Sequence, residues 1–221
     1  MKKRWLVGLA VLGLTVAQSL SADAAKITYK EYNLGENISI TVPYLEGSEN
    51  KKFEETLNKT FLNNARSYLA EQPEDESPLT DDRFDFRADY EVPFNSFEYV
   101  SIVQWYHLYT GGAHGNTFYS ATTFNTITGE VFTLKDLFKE KVDYRVKLTL
   151  LVEEEFASRG EHAVGFSFTE VTDKTLFYLT PSGLVLLFPP YEIAPFVVGD
   201  IRVHIPWWKL QGILNEEFPV H

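Results

Sequence analysis

Five histidines, at positions 107, 114, 162, 204 and 221, are the residues best suited to metal or acid–base chemistry. No two stand three or four apart, which excludes paired helical ligands of the HExxH type. His107 and His114 flank a short glycine-rich segment. A metal held between them with a nearby carboxylate is one reading; a strand histidine packed among rings plus a loop histidine is the other. There is no cysteine, so thiol catalysis, thiolate metal ligation and disulfides are excluded. No serine sits in a GxSxG elbow. No motif implies a cofactor.

Two segments remain as candidates. The first is Tyr109-Thr110-Gly111-Gly112-Ala113-His114-Gly115. Three glycines in five residues permit positive φ and exposed N–H groups. Tyr109, Gly111, Gly112, His114 and Gly115 are therefore candidate ligand-binding residues. The alternative is a tight connection whose glycines let another segment pack closely. The spacing is not that of a phosphate-binding loop, and no Lys-Ser/Thr follows. The second segment is Phe188-Pro189-Pro190-Tyr191-Glu192-Ile193-Ala194-Pro195-Phe196, whose path is fixed by three prolines. Glu192 among apolar neighbours is either an acid of raised pKa or an acceptor of backbone N–H bonds that locks the turn. Tyr191 and Glu192 complete the candidate set. No second carboxylate can be paired with Glu192 from sequence. In Trp207-Trp208, side chains about 100° apart on a helix put one ring in the core and leave the other for solvent or a sugar.

The elements that must position these residues are legible from periodicity. The 221 residues are 44% hydrophobic and 23% charged, an ordinary globular balance. Aromatics reach 15%, so core and surface are rich in rings. A net charge of -11 repels phosphate backbones and argues against nucleic-acid binding; it favours a cationic partner. Ile38, Ile40, Val42 and Tyr44 alternate with polar residues and predict a strand. Phe53, Leu57, Phe61, Ala65, Tyr68 and Leu69 predict an amphipathic helix from about Ser48, stopped by Pro73. Pro73 to Asp82 reads as an exposed acidic loop. Phe84 to Val92, Phe97 to Tyr109 and Thr117 to Ile127 predict three strands of an antiparallel meander over 84–132. Rings or aliphatics on both faces place the middle strand centrally. Thr133 and Asp136 form an acidic capping box for a short turn. A second amphipathic helix runs from about Asp143 to Arg159, with Tyr144, Leu148, Leu151, Val152 and Phe156 on its apolar face and Gly160 as stop. Phe177–Thr180 and Leu184–Phe188 flank a Pro-Ser-Gly turn as a hairpin. Ile201, Val203 and Ile205 form a last strand, and Pro206 opens a final helix carrying Leu210 and Leu214. The order is that of an α+β fold: a mainly antiparallel sheet with two long amphipathic helices packed on it, in two lobes, 26–115 and 116–221.

Residues 1–24 stand apart. Lys2, Lys3 and Arg4 precede an apolar run from Trp5 to Ala17, and Ala22-Asp23-Ala24 offers small residues at a cleavage site. This is the layout of a signal peptide, shorter than the roughly 20 residues of a membrane span. The expectation is export to the periplasm or the outside, with no stable membrane anchor after cleavage.

Three stretches carry a family resemblance: GGAHG (111–115), FNTITGEVFTLKDLF (124–138) and FYLTPSGLVLLFPPYEIAPFVVGDIRVHIPWWKL (177–210). They resemble the paired domains of exported bacterial proteins that form the ectodomain of lysozyme-sensing anti-sigma factors of the RsiV type. The first of the pair also accompanies peptidoglycan deacetylases of the PdaC type. The resemblance spans about 27–112 for the PdaC-associated domain and 116–214 for the RsiV-type domain. It implies an α+β fold and a cell-envelope setting. Anti-sigma activity is not implied, because only Met1 to Trp5 precede the rest of the apolar run. Deacetylation is not implied, because the HxxxH metal pair is absent. The expectation is a non-enzymatic recognition module for lysozyme or peptidoglycan glycan. A ligand-free structural or assembly domain, or a carbohydrate-acting hydrolase, are the alternatives.

Overall fold

The computed structural model describes residues 11–12, 26–70, 84–96, 98–159, 166–216 and 218. The expected signal segment lies outside these, except for a two-residue strand β1 (Val11–Leu12) paired with Glu31 and Lys30. The acidic loop after Pro73 and the Gly160 helix stop also lie outside the described residues. The chain divides into two compact units. One takes residues up to 91 with 96–98 and 104–118; the other takes 92–95, 99–103 and the residues from 119 onward. Three strands therefore contribute residues to both.

In the first unit, β2 (Lys26–Asn33) pairs antiparallel with β3 (Ile38–Glu46) along its whole length. Strand β2 has little alternation and was not legible. Helix α1 (Lys51–Ala70) follows and buries Leu57, Phe61, Ala65 and Leu69, four positions one turn apart, as the periodicity requires. Asn50 caps it by accepting the Phe53 N–H at 3.0 Å. The helix lies on β3, and Asn58 bonds both the Leu45 N–H and C=O, at 2.8 and 2.9 Å. The expected inward residue Tyr44 is half-exposed, its ring 3.6 Å from Lys30 Nζ, and Leu45 is buried instead. Strand β4 (Phe84–Asn95) returns parallel to β3, as a strand-helix-strand crossover allows.

Strands β5 (Tyr99–Thr110), β6 (Asn116–Asn125) and β7 (Val131–Phe132) complete a seven-stranded sheet ordered β1 to β7. Strand β5 lies between β4 and β6 and is buried without interruption from Tyr99 to Gln104, as its two apolar faces predicted. Strand β6 ends before Ile127. The Asn125 side chain accepts the N–H groups of Ile127 and Thr128 and turns the chain there, leaving Ile127 exposed.

The second unit builds its own core. The turn Leu134–Leu137 is capped as expected, with Asp136 accepting the Thr133 N–H and hydroxyl at 2.7 and 2.6 Å. Helix α2 (Tyr144–Arg159) buries Tyr144, Leu148, Leu151, Val152 and Phe156, all five expected residues. A separate antiparallel sheet is ordered β10–β9–β8, from β8 (Leu176–Thr180), β9 (Gly183–Phe188) and β10 (Ile201–Pro206). Its middle strand β9 is buried along its length. The last helix is shorter than expected. Helix α3 is the single turn Trp207–Leu210, and Leu214 instead bridges to Phe138. Among the described residues no helix is long and apolar enough to cross a membrane.

Candidate functional site

The glycine-rich loop joins β5 to β6. Gly111 sits at φ 90°, where a side chain strains the backbone, and it makes the turn. The Tyr109 hydroxyl donates to the Gly112 carbonyl across it at 3.0 Å. Gly112 itself has no positive φ, and a Cβ there would meet nothing closer than the His114 carbonyl at 3.9 Å. Gly115 is needed for another reason. A Cβ there would lie 2.5 Å from the His107 ring and 2.9 Å from the Leu108 carbonyl. The loop thus closes over β5, and His107, held at 3.1 Å by Thr117 Oγ1, is the residue it packs on. His114 is exposed and donates through Nδ1 to the Gly115 carbonyl at 3.0 Å. Three of the five candidate residues here carry a structural task in the loop: Gly111, Gly115 and Tyr109. Among the described residues, no three of His, Asp and Glu stand close enough to share a metal ion.

Tyr191 and Glu192 belong to the second unit, in the segment between β9 and β10. Phe188 is buried, the prolines turn the chain outward, and Ile193 and Ala194 plug back into the core. Between these anchors Tyr191 takes φ 69°, the one non-glycine residue with positive φ among those described. A strained aromatic residue held this way is worth a functional hypothesis. Its ring stacks on Phe196 with centroids 5.4 Å apart, yet it stays 60% exposed. Val197 is 89% exposed and Val198 is exposed beside it. The loop is pinned by Ser167 N–H to the Ile193 carbonyl at 2.8 Å. At Glu192 the backbone N–H closes the turn, donating to the Pro189 carbonyl at 3.1 Å. The residue is exposed overall, but partial burial of its carboxyl raises its pKa above the ordinary value.

The far foot of this loop rests on a polar cluster that no sequence pattern signalled. The Asp200 carboxylate accepts the Tyr119 hydroxyl at 2.9 Å and Arg202 Nε at 2.8 Å. Arg202 also reaches the Tyr178 hydroxyl at 3.4 Å. Burial alone would raise the Asp200 pKa, but hydrogen bonds from Arg202 and Tyr119 outweigh it and hold the carboxyl below the ordinary range. Tyr119 is pushed up to about 12, by burial first and by Asp200 second. Asp200 follows Gly199 directly, so this cluster fixes where the apolar loop re-enters the sheet.

A separate open cavity of about 370 Å³ lies at the start of α2. Its carboxylates are Glu140, Asp143 and Asp173. Asp173 accepts the Tyr144 hydroxyl, and Asp143 accepts the Val146 N–H as a helix cap. Two of the three carboxylates are therefore engaged in holding the fold.

Residues 29–117 match the family described as deacetylase PdaC, and residues 135–208 match the protein family of unknown function DUF3298. The chain therefore carries a PdaC domain followed by a DUF3298 domain, the pair its sequence resembles. It is 23% identical over 188 residues to the peptidoglycan-N-acetylmuramic acid deacetylase PdaC of Bacillus subtilis, covering 82% of this chain and 40% of the relative. It is 24% identical over 203 residues to the anti-sigma-V factor RsiV of the same organism, covering 86% and 70%. The chain thus spans less than half the length of the first relative. Both relatives support an envelope-associated domain. Crystal structures of DUF3298 proteins from Bacteroides fragilis and Pseudomonas aeruginosa share the fold, with TM-scores of 0.67 and 0.64 at 19% and 16% identity. Each alignment covers 87% of this chain and 94% of the other.

Proposed function

We propose that the chain is an exported, non-enzymatic recognition module of the bacterial cell envelope. Its partner is a basic cell-wall enzyme of the lysozyme class, or the wall glycan that such enzymes cut. The observation that carries this reading is the loop from Tyr191 to Val198, which exposes Tyr191, Val197 and Val198 while Ile193 and Ala194 anchor it in the core. Water gains nothing from an exposed Val197 and a strained Tyr191; a partner cleft that accepts them removes apolar area from water at roughly 25 cal/mol per Å². Because the loop is already ordered by Ile193, Ala194 and Asp200, little ordering entropy is lost on docking. Rings at the tip also suit stacking on a sugar. The net charge of -11 favours the basic partner by steering.

The test is calorimetric titration of the protein with a basic lysozyme at low salt, alongside a pull-down on purified peptidoglycan. Binding by either route, weakened at least ~tenfold by Tyr191→Ala and Val197→Asp with unchanged melting temperature, is the expected result. Retention of full affinity in both variants would move the site elsewhere. No binding to either partner would leave a structural domain as the better account.

A further inference from the structure

Glu192 is the only charged residue between Pro189 and Gly199, and it follows Tyr191 directly. Its backbone is held in place. The N–H donates to the Pro189 carbonyl, and the next residue, Ile193, is buried in the core. The carboxyl is partly withdrawn from water, and burial is the single influence that shifts it. Among the described residues no cation pairs with this carboxylate and no donor hydrogen-bonds to it. The other carboxylate of this segment is compensated: Asp200 accepts Arg202 Nε and the Tyr119 hydroxyl. Withdrawing a carboxylate from water without a partner costs stability, and a native structure that keeps one calls for a reason. Here the uncompensated group stands beside Tyr191, whose backbone is strained at φ 69°. Val197 and Val198 are exposed in the same loop.

We propose that Glu192 is the specificity determinant of this loop, and that it selects a protein partner carrying a lysine or arginine beside the cleft that takes Tyr191. The proposal rests on the recognition role stated above and decides between its two partners. When Tyr191 docks, water leaves the neighbouring carboxylate as well. A partner with a cation at that point supplies the missing counter-charge. A partner without one leaves the carboxylate buried and unpaired, at a cost in affinity. Glycan strands of N-acetylated sugars carry no cation, so Glu192 counts against them. The exposed ring and valines alone would accept either an apolar cleft or a sugar face. One carboxylate set among them favours the basic protein and penalises the neutral glycan.

Calorimetric titration of Glu192→Gln and Glu192→Lys reads this, with a basic lysozyme and a soluble N-acetylglucosamine oligomer as the two probes. Against lysozyme, Glu192→Gln is expected to lose at least ~tenfold in affinity, mainly through faster dissociation, and Glu192→Lys more. Glu153→Gln removes the same unit of charge from an exposed site on α2 and should change the affinity little. Against the oligomer, neither Glu192 variant weakens binding. The melting temperature at pH 7 separates partner selection from a role in holding the turn. The folded pKa of Glu192 is raised, so its ionised form opposes folding above that value. Glu192→Gln should therefore melt at the same temperature as the native chain or higher; a fall would make the residue structural and overturn the proposal. Lysozyme binding that Tyr191→Ala weakens and Glu192→Gln does not also overturns it, while leaving the loop reading in place. So does binding to the oligomer alone. Binding to neither probe removes the recognition role itself, and this proposal with it.

Discussion

At the scale of single residues, the glycine-rich loop separates two requirements that look alike in sequence. Gly111 is required for its backbone angle and Gly115 for space beside His107. Gly111→Ala should cost on the order of 1 kcal/mol. Gly115→Ala should cost about 1–3 kcal/mol, because the clash includes a backbone carbonyl that cannot swing away. Gly112→Ala should change stability by less than about 0.5 kcal/mol, since nothing crowds that position. Urea denaturation midpoints of the three variants check this. The run of glycines marked the loop; which glycine mattered was hidden, because the crowding comes from a ring eight residues earlier. His114 is exposed, so His114→Ala should leave the midpoint unchanged. If that variant loses stability, the imidazole is holding the loop in a way its hydrogen bond to Gly115 does not account for.

At the scale of elements, α2 offers an internal control. Leu148 is fully buried and Leu150 is exposed, two residues apart on one helix. Leu148→Ala should destabilise by about 2–5 kcal/mol through lost burial and a residual cavity. Leu150→Ala should be nearly silent in dilute protein. Equal effects would contradict the helix orientation. The foot of the loop between β9 and β10 makes a pH prediction. The folded pKa of Asp200 lies below its unfolded value of about 3.9. Its contribution to stability is therefore present above that value and is lost as pH falls through the lower folded pKa. Thermal melts should show Asp200→Asn less stable than the native chain at pH 7, with the gap closing below about pH 4. A gap that persists unchanged into acid would mean the carboxylate charge is not what holds Arg202 and Tyr119. Both helices and most strands were visible in periodicity. The four-residue α3 was not, because Gln211 leaves the helix in an extended conformation despite the apolar spacing of Leu210 and Leu214.

At the scale of the whole molecule, charge and export generate the remaining tests. Binding to a basic partner should associate more slowly as salt rises, because exposed charges beyond about 8 Å are screened at 0.15 M. On the proposed function the dissociation rate should change little, since short-range apolar contacts are insensitive to salt screening. A salt-independent association rate in stopped flow would remove the steering argument while leaving the loop in place. The layout of residues 1–24 predicts a mature N-terminus at Ala25 or Lys26. Edman sequencing of exported protein that still begins at Met1 would contradict cleavage.

Periodicity alone determined that Phe84 to Val92 is a strand and that α2 buries Tyr144, Leu148, Leu151, Val152 and Phe156. Those patterns follow from one segment's own backbone geometry, two residues per strand repeat or 3.6 per helical turn. The family pair was equally legible, because its motifs are contiguous. What only the tertiary structure decided involves segments far apart in the chain. Leu45 is buried where Tyr44 was expected, and its backbone N–H and C=O are both bonded by Asn58 of α1. Asp200 is held by Tyr119, 81 residues away. Tyr191 takes positive φ where Phe188 on one side and Ile193 on the other are both buried, leaving two prolines, Tyr191 and Glu192 to span the gap. Register, close approach and strain are properties of several segments packed at once, and no single stretch of sequence encodes them.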